Sequence, residues 1–318
     1  MLLEVDNLQT YFFTAGGVTK AVDGVSFALD NGQSMALVGE SGCGKSTIAL
    51  SIIGLVLYPG KIVGGRVLFD GQDLTKVPPR EMRRVRARKM GLVFQDPQTT
   101  LNPAFTIGEQ VAESILAAGG TARKAAWDRA VAAMEEVGIA SAAERAKQYP
   151  HEFSGGMRQR TMIAAAIARS PSLFIADEPT TALDVTIQAQ ILDLIRRERE
   201  RLDTALLLIT HDLGIVGELC ETAAVMYAGQ LVERAPTASL LSDPLHPYSR
   251  ALIGCVPRLG SRAQRLPTVG GSVPDLANLP QGCRFADRCP EAMDICRQDM
   301  PEIIRLENGR EVRCYLHA

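Results

Sequence analysis

The sequence predicts an α/β fold with a largely parallel sheet, an antiparallel β piece before it, an inserted helical subdomain and a loop-rich C-terminal extension. Three observations carry this reading. From about residue 36 onward, short apolar strand-like runs alternate with helical stretches. Residues 39–46 read Gly-Glu-Ser-Gly-Cys-Gly-Lys-Ser, a complete GxxxxGK[ST] phosphate loop between an apolar run and a helical one. Past about residue 236, prolines at 236, 244, 247, 257, 267, 274 and 280 break any long element.

Taken in order, residues 1–35 read as short strands, with apolar clusters at 2–5, 11–13 and 22–29, a piece suited to flanking a nucleotide. Residues 34–38 follow as a buried strand. Gly39, Gly42 and Gly44 then let the backbone turn tightly and aim N–H groups at phosphate oxygens, while the next helix offers its positive dipole end. Gly39, Ser41, Gly42, Cys43, Gly44, Lys45, Ser46 and Thr47 are therefore the expected nucleotide contacts, with Lys45 reaching the β/γ-phosphates and Ser46 holding Mg²⁺. This is the signature of a P-loop NTPase core that binds a nucleoside triphosphate. Cys43 lies at a helix start, where a thiol's pKa tends to fall; it reads as a small filler of the loop, the lesser alternative being a reactive thiol whose alkylation blocks ATP binding.

The Ala-rich stretch 106–148 interrupts the alternation. Its apolar spacing (Ile107, Val111, Ile115; Val131, Met134, Val137) suits amphipathic helices, and the whole insertion is placed at about 97–158. Strand patterns return at 173–176 and 205–209. The 318 residues suffice for a substantial core. A net charge of −2 supplies no global basic field for nucleic acid. The local basic run Arg80, Arg83, Arg84, Arg86, Arg88, Lys89 reads as the solvated face of a helix. No apolar run approaches the roughly 18–20 residues that cross a bilayer, and the start lacks signal-peptide character. The expectation is a soluble chain whose membrane role, if any, runs through partners.

Two further motifs carry chemistry. Residues 173–178 form an apolar strand ending in Asp177-Glu178. Asp177 is placed to meet Mg²⁺; Glu178, on the other side of the pleat by strand alternation, is the candidate to deprotonate an attacking water. Phe153-Ser154-Gly155-Gly156-Met157 precedes a helical stretch, with Ser154 as natural N-cap and glycines that free backbone donors for an anion.

The order phosphate loop, Gln95 (in Val93-Phe94-Gln95-Asp96), Ser154-Gly155-Gly156, Asp177-Glu178, Ala182-Leu183-Asp184 and His211 (in Ile209-Thr210-His211-Asp212) resembles the ATPase subunit of ABC transporters across residues 1–235. The resemblance implies a RecA-like core and supplies roles. Phe12, or its neighbour Tyr11, would stack on adenine; Gln95 would sense Mg²⁺ and the γ-phosphate; His211 would contact the γ-phosphate; Asp184 would lie at a dimer seam. Family members pair head to tail, so Ser154, Gly155 and Gly156 would act on ATP held by the partner's phosphate loop. The signature departs from the commoner LSGGQ at Phe153 and Met157, which leaves the hydroxyl and backbone donors in place.

The tail at 236–318 contains His-Pro-Tyr-Ser-Arg-Ala-Leu (246–252) and the spacing Cys-x5-Cys-x6-Cys-x17-Cys over Cys283, Cys289, Cys296 and Cys314. It resembles the extension of ATPase subunits from oligopeptide/dipeptide importers, a group that includes nickel importers. The wording around 153–160 and 182–190 is similar to the D-type subunit, which pairs with a distinct F-type ATPase. Implied partners are two transmembrane permease subunits, a second ATPase and an extracytoplasmic peptide-binding protein, with no nucleic acid. The chain would be peripheral at the cytoplasmic face of the inner membrane. Four thiolates suit a soft metal, and the resemblance implies a 4Fe–4S cluster on those cysteines. The spacing lacks a zinc knuckle, and unligated thiols remain the alternative. Cys220 and Cys255 read as core thiols.

Overall fold

A computed structural model describes residues 1–181, 183–256, 268–306 and 308–318; Ala182 of the Ala-Leu-Asp motif and Pro257 and Pro267 of the tail lie outside the described residues. The chain opens with β1 (Leu3–Thr14) and β2 (Gly17–Leu29), two long antiparallel strands rather than several short ones. The difference has a local cause. The pairing register shifts between Val5 and Leu8, and Asn7 adopts φ +47° there, so the apolar alternation changes phase and looks broken in the sequence.

β3 (Ser34–Val38) leads through the phosphate loop into α1 (Lys45–Ile52). β4 (Gly60–Phe69) and β5 (Gln72–Asp73) return to the first layer, which has the order β2-β1-β4-β5. α2 (Pro79–Lys89) turns Arg80, Arg83, Arg84, Arg88 and Lys89 to solvent and buries Met82 and Ala87, as a solvated helix face should. β6 (Met90–Val93) then enters the second sheet.

The insertion follows as α3 (Pro97–Thr100), α4 (Ile107–Leu116), α5 (Arg123–Glu136), α6 (Ala142–Arg145) and α7 (Gly155–Ile167). α4 starts on a capping box: Thr106 Oγ1 accepts the Glu109 N–H, and the Glu109 carboxylate accepts the Thr106 N–H. Ile107, Val111, Ile115, Met134 and Val137 are all buried, so the helical spacing forms one core face.

β7 (Leu173–Asp177), α8 (Val185–Leu202), β8 (Ala205–Thr210), α9 (Leu213–Leu219), β9 (Thr222–Tyr227) and β10 (Gln230–Pro236) complete the central sheet. β9, β3, β8, β7 and β6 run parallel in that order, and β3, β7 and β8 are buried throughout. Burial on both faces explains why they read as continuous apolar runs. Met35 and Leu37 pack into one core cluster and Ala36 and Val38 into the other, so the sheet separates two cores.

The tail carries α10 (Thr237–Ser242), α11 (Pro247–Gly254), α12 (Asp294–Gln298), β11 (Ile304–Arg305) and β12 (Glu311–Val312). It is not a separate appendage. β12 pairs antiparallel with β10 through Glu233–Val312 and Arg234–Glu311, so the tail extends the central sheet. Phe285 is buried against Tyr227 and Tyr248, with ring centroids 5.2 and 5.3 Å away.

Candidate active site

Two backbone positions fix the phosphate loop. A Cβ on Gly44, where φ is +105°, would lie 2.0 Å from the Ala21 carbonyl oxygen, and one on Gly39 would lie 2.2 Å from that of Met226. No side chain fits at either position. Lys45 is buried and donates its ammonium to the carbonyls of Gly39 (2.7 Å) and Glu40 (3.0 Å), which hold the charge over the loop. Ser41, Gly42, Gly44, Lys45, Ser46 and Thr47, joined by Ala21, Gln95 and Glu178, line a cavity of about 230 Å³.

Cys43 does not behave as its position in the loop suggests. Its sulfur is fully buried, and burial pushes the thiol above its ordinary range although Lys45 pulls it back. Full burial agrees with a small filler and speaks against the low-pKa alternative, since desolvation outweighs the helix start.

Asp177 ends β7 and is buried. Burial raises its pKa above the ordinary carboxylate value and Glu178 adds to the rise, while a hydrogen bond from Ser46 and the Lys45 charge oppose it. Asp177 Oδ1 is buried without a hydrogen-bond partner among the described residues. An orphaned carboxylate oxygen beside the Ser46 hydroxyl is a donor set suited to a hard divalent cation. Glu178 adopts the left-handed φ +50°, and its N–H donates to Ile209 O at 2.8 Å. Glu178 lines the same cavity as the loop, whereas Asp177 is not part of its lining. Its Oε1 lies 2.8 Å from His211 Nδ1, and Thr181 Oγ1 donates to Oε2 at 3.0 Å.

Phe12 does not line this cavity; its ring edge lies beside Gly60. Tyr11 is also committed, donating its hydroxyl to Asp23 at 2.5 Å, and burial and Asp23 push its pKa up to about 12. Ser154 caps α7, its Oγ accepting the Met157 N–H at 3.4 Å. Asp184 caps α8, accepting the Ile187 N–H at 3.0 Å. The two helix starts meet, since a Cβ on Gly156 would lie 2.8 Å from Ile187 Cγ2. Ser154, Gly155 and Asp184 are exposed, and none of them lines the phosphate-loop cavity of its own chain.

Sequence reasoning missed Glu40, Asp23, Arg284 and Arg288. Arg288 donates both terminal nitrogens to the Glu40 carboxylate (2.7 and 3.0 Å), and Arg284 donates to Asp23 and to Ala228 O. No motif spacing links these residues. The available signal was an arginine beside each of two tail cysteines, at 283–284 and 288–289.

The 4Fe–4S expectation is corrected. Cys283, Cys289, Cys296 and Cys314 are free thiols around one small enclosed space of about 10 Å³. Roughly 10–15 Å³ of such space accommodates one water, not a cluster. Burial pushes Cys283 up to about 11 and raises Cys289 and Cys314, and the neighbouring cysteines add to the rise. No group of three or more His, Cys, Asp or Glu among the described residues is arranged to hold a metal ion. Arginines do the fastening instead: Arg310 reaches Glu233 (3.3 Å) and Asp243 (3.1 Å), and Arg313 reaches Pro301 O (3.1 Å).

The helical insertion presents a groove of about 950 Å³ whose lining includes Thr100, Phe105, Glu109, Glu113 and Trp127. No helix among the described residues is long and apolar enough to cross a membrane.

Comparison with known proteins bears on this geometry. The family described as ABC transporter matches residues 22–181, and that described as oligopeptide/dipeptide transporter, C-terminal region, matches 232–296. The oligopeptide transport ATP-binding protein AppD of Bacillus subtilis (strain 168) is 48% identical over 99% of this chain and 97% of its own. The oligopeptide transport ATP-binding protein OppD of Salmonella typhimurium is 43% identical over 99% and 93%. A solved dimeric ATP-binding cassette in a post-hydrolysis state, bound to ADP and Pi, superposes with a TM-score of 0.67 at 25% identity, covering 74% of this chain and 99% of that one.

Proposed function

The chain belongs to the ABC transporter family, as an ATP-binding subunit of the oligopeptide/dipeptide importer group, and from that membership we infer how its residues work. It is an ATPase that drives oligopeptide or dipeptide import. The observation that carries the mechanism is the single cavity shared by Lys45, Ser46, Gln95 and Glu178.

The loop N–H groups and Lys45 hold the phosphates, and Glu178 takes a proton from the attacking water while His211 orients its carboxylate. Ser46, Asp177 and Gln95 would hold Mg²⁺, which neutralises charge on the phosphates when bound. The exposed signature start at Ser154–Gly156 and the Asp184 cap serve the ATP of a partner ATPase, a reading supported by the dimeric state of the superposed cassette. Phe12 is the aromatic that the family likeness assigns to the adenine, since the Tyr11 hydroxyl is committed to Asp23.

Residues 1–235 act as the nucleotide-binding domain, with the insertion at about 97–158 transmitting motion, and 236–318 as the importer-specific extension. As an importer ATPase the chain works with transmembrane permeases and a substrate-binding protein, peripheral to the membrane. The second ATPase is a related F-type subunit, the site of attachment is the cytoplasmic face, and the groove at Phe105 and Trp127 receives the permease. The similarity to named peptide-transport subunits favours peptides over nickel, and the match of the C-terminal region favours a transporter over a soluble nucleic-acid ATPase. The test is peptide uptake into proteoliposomes carrying the assembled transporter. Lys45→Ala should abolish uptake and ATP binding together; uptake at the wild-type rate would overturn the assignment.

A further inference from the structure

The importer-specific tail grips the phosphate loop itself. Glu40 is the second residue of that loop, and its carbonyl oxygen accepts a hydrogen bond from Lys45. Four groups from beyond residue 235 converge on it or on its clamp. The Arg288 guanidinium makes a two-pronged pair with the Glu40 carboxylate at 2.7 and 3.0 Å, the fork geometry that only arginine supplies. The Tyr248 hydroxyl accepts the Glu40 N–H at 3.0 Å. The carbonyls of Val269 and Gly270 accept further N–H groups of Arg288 at 3.2 and 2.7 Å. The Arg288 side chain is only 5% exposed and also meets the Tyr227 hydroxyl at 3.2 Å. Both faces of the Glu40 residue are thereby fixed, the peptide N–H by Tyr248 and the carboxylate by Arg288.

A second strut lies alongside. Arg284 bonds Ala228 O and Asp23, and Asp23 in turn takes the Tyr11 hydroxyl. Ala21, two residues from Asp23, supplies the carbonyl that Gly44 packs against and lines the cavity.

We propose that Arg288 is a positioning residue for ATP binding: through Glu40 it holds the phosphate loop in its anion-binding conformation, so the C-terminal extension sets the nucleotide affinity of the ATPase core. Preorganisation of this kind lowers the ordering cost of binding. It acts on affinity, because Glu40 and Arg288 do not line the cavity where hydrolysis would occur. The inference rests on the ATP-site reading above.

The experiment is equilibrium binding of Mg-ATP and of a fluorescent ATP analogue to the full chain, with KM and kcat of the assembled transporter measured in parallel. Arg288→Ala and Glu40→Gln should each weaken binding about tenfold, and the double variant no further, since partners in one contact are non-additive. Arg288→Lys should recover part of the loss. KM should move and kcat should stay within about twofold, whereas a general loss of folding would lower active fraction and kcat without coupling the two sites. Arg297→Ala, which breaks an exposed tail ion pair with Asp287, should leave affinity unchanged. Wild-type affinity in Arg288→Ala, or additive losses in the double variant, would overturn the proposal while leaving the ATP site standing. A wild-type chain that binds no ATP would overturn both.

Discussion

His211 Nδ1 lies 2.8 Å from Glu178 Oε1 and 2.7 Å from Oε2, so the imidazole faces the carboxylate with one nitrogen against both oxygens. Glu178 is buried, whereas the His211 side chain is 58% exposed. A base held from one side by an exposed residue can be re-aimed when that residue moves. Removing the acceptor charge tests the base without disturbing the loop. Glu178→Gln should keep ATP binding within about twofold and cut turnover by roughly 10²–10⁴, the range general-base catalysis contributes. Equilibrium binding beside single-turnover hydrolysis decides it. Turnover near the wild-type level would remove Glu178 from the role of base.

The carboxylate next to it makes a different prediction. Asp177 has a raised pKa because it is buried with an unpartnered oxygen. Ionising it therefore costs more in the folded chain than in the unfolded one. As pH rises from the ordinary aspartate range through its raised value, the native state loses stability until a cation or proton compensates. At neutral pH in a chelator, Asp177→Asn should thus melt at a higher temperature than wild type. The same variant should lose the gain in ATP affinity that Mg²⁺ gives wild type, tenfold or more, or about 1.4 kcal/mol. A melting temperature below wild type would contradict the burial argument.

How much of this was legible follows from which interactions are local. β3, the glycine positions of the loop and the Asp177-Glu178 pair are contiguous in the chain, and burial on both sheet faces leaves an apolar run that marks them. The capping box at Thr106–Glu109 is equally local. The Glu40–Arg288 pair spans 248 residues and has no period, so it exists only after the tail docks. The left-handed φ of Glu178 is a further feature that no local residue pattern announces, because a glutamate rarely adopts it. The cysteine spacing named a soft-metal site, but spacing says nothing about the volume left between sulfurs once Gly282 packs on the Cys296 carbonyl.

The tail contains one buried histidine with a clear pH signature. His246 caps α11, its Nδ1 accepting the Tyr248 N–H at 3.0 Å, which requires the neutral ring. Burial first, then the charge of Arg250 and the facing His317, push its pKa down to about 3 from 6.5; the Glu233 carboxylate below it accepts the His246 backbone N–H. Between those two values the unfolded chain binds the proton and the folded chain does not. The stability held above pH 6.5 is therefore lost progressively as pH falls toward 3. His246→Asn keeps a cap without a titrating ring. Thermal unfolding across pH 4–7 should show a shallower acid decline in the variant, and parallel declines would exclude His246 as the source.

The separation of Ser154 from the phosphate-loop cavity predicts how the two ends of the site fail. Ser154 sits exposed at the start of α7, and a larger charged side chain there meets no core. Ser154→Arg should leave the chain folded and its own ATP affinity unchanged within about twofold, with the melting temperature lowered only by the loss of the cap, about 1 kcal/mol. In the assembled transporter the same change should remove the donor offered to the partner's ATP and lower hydrolysis at least tenfold, a step of about 1.4 kcal/mol in the barrier. Lys45→Ala gives the opposite pattern, with ATP affinity lost in the isolated chain. A Ser154→Arg chain that fails to bind ATP alone would place both motifs in one site within a single chain, and the head-to-tail arrangement would fall with it.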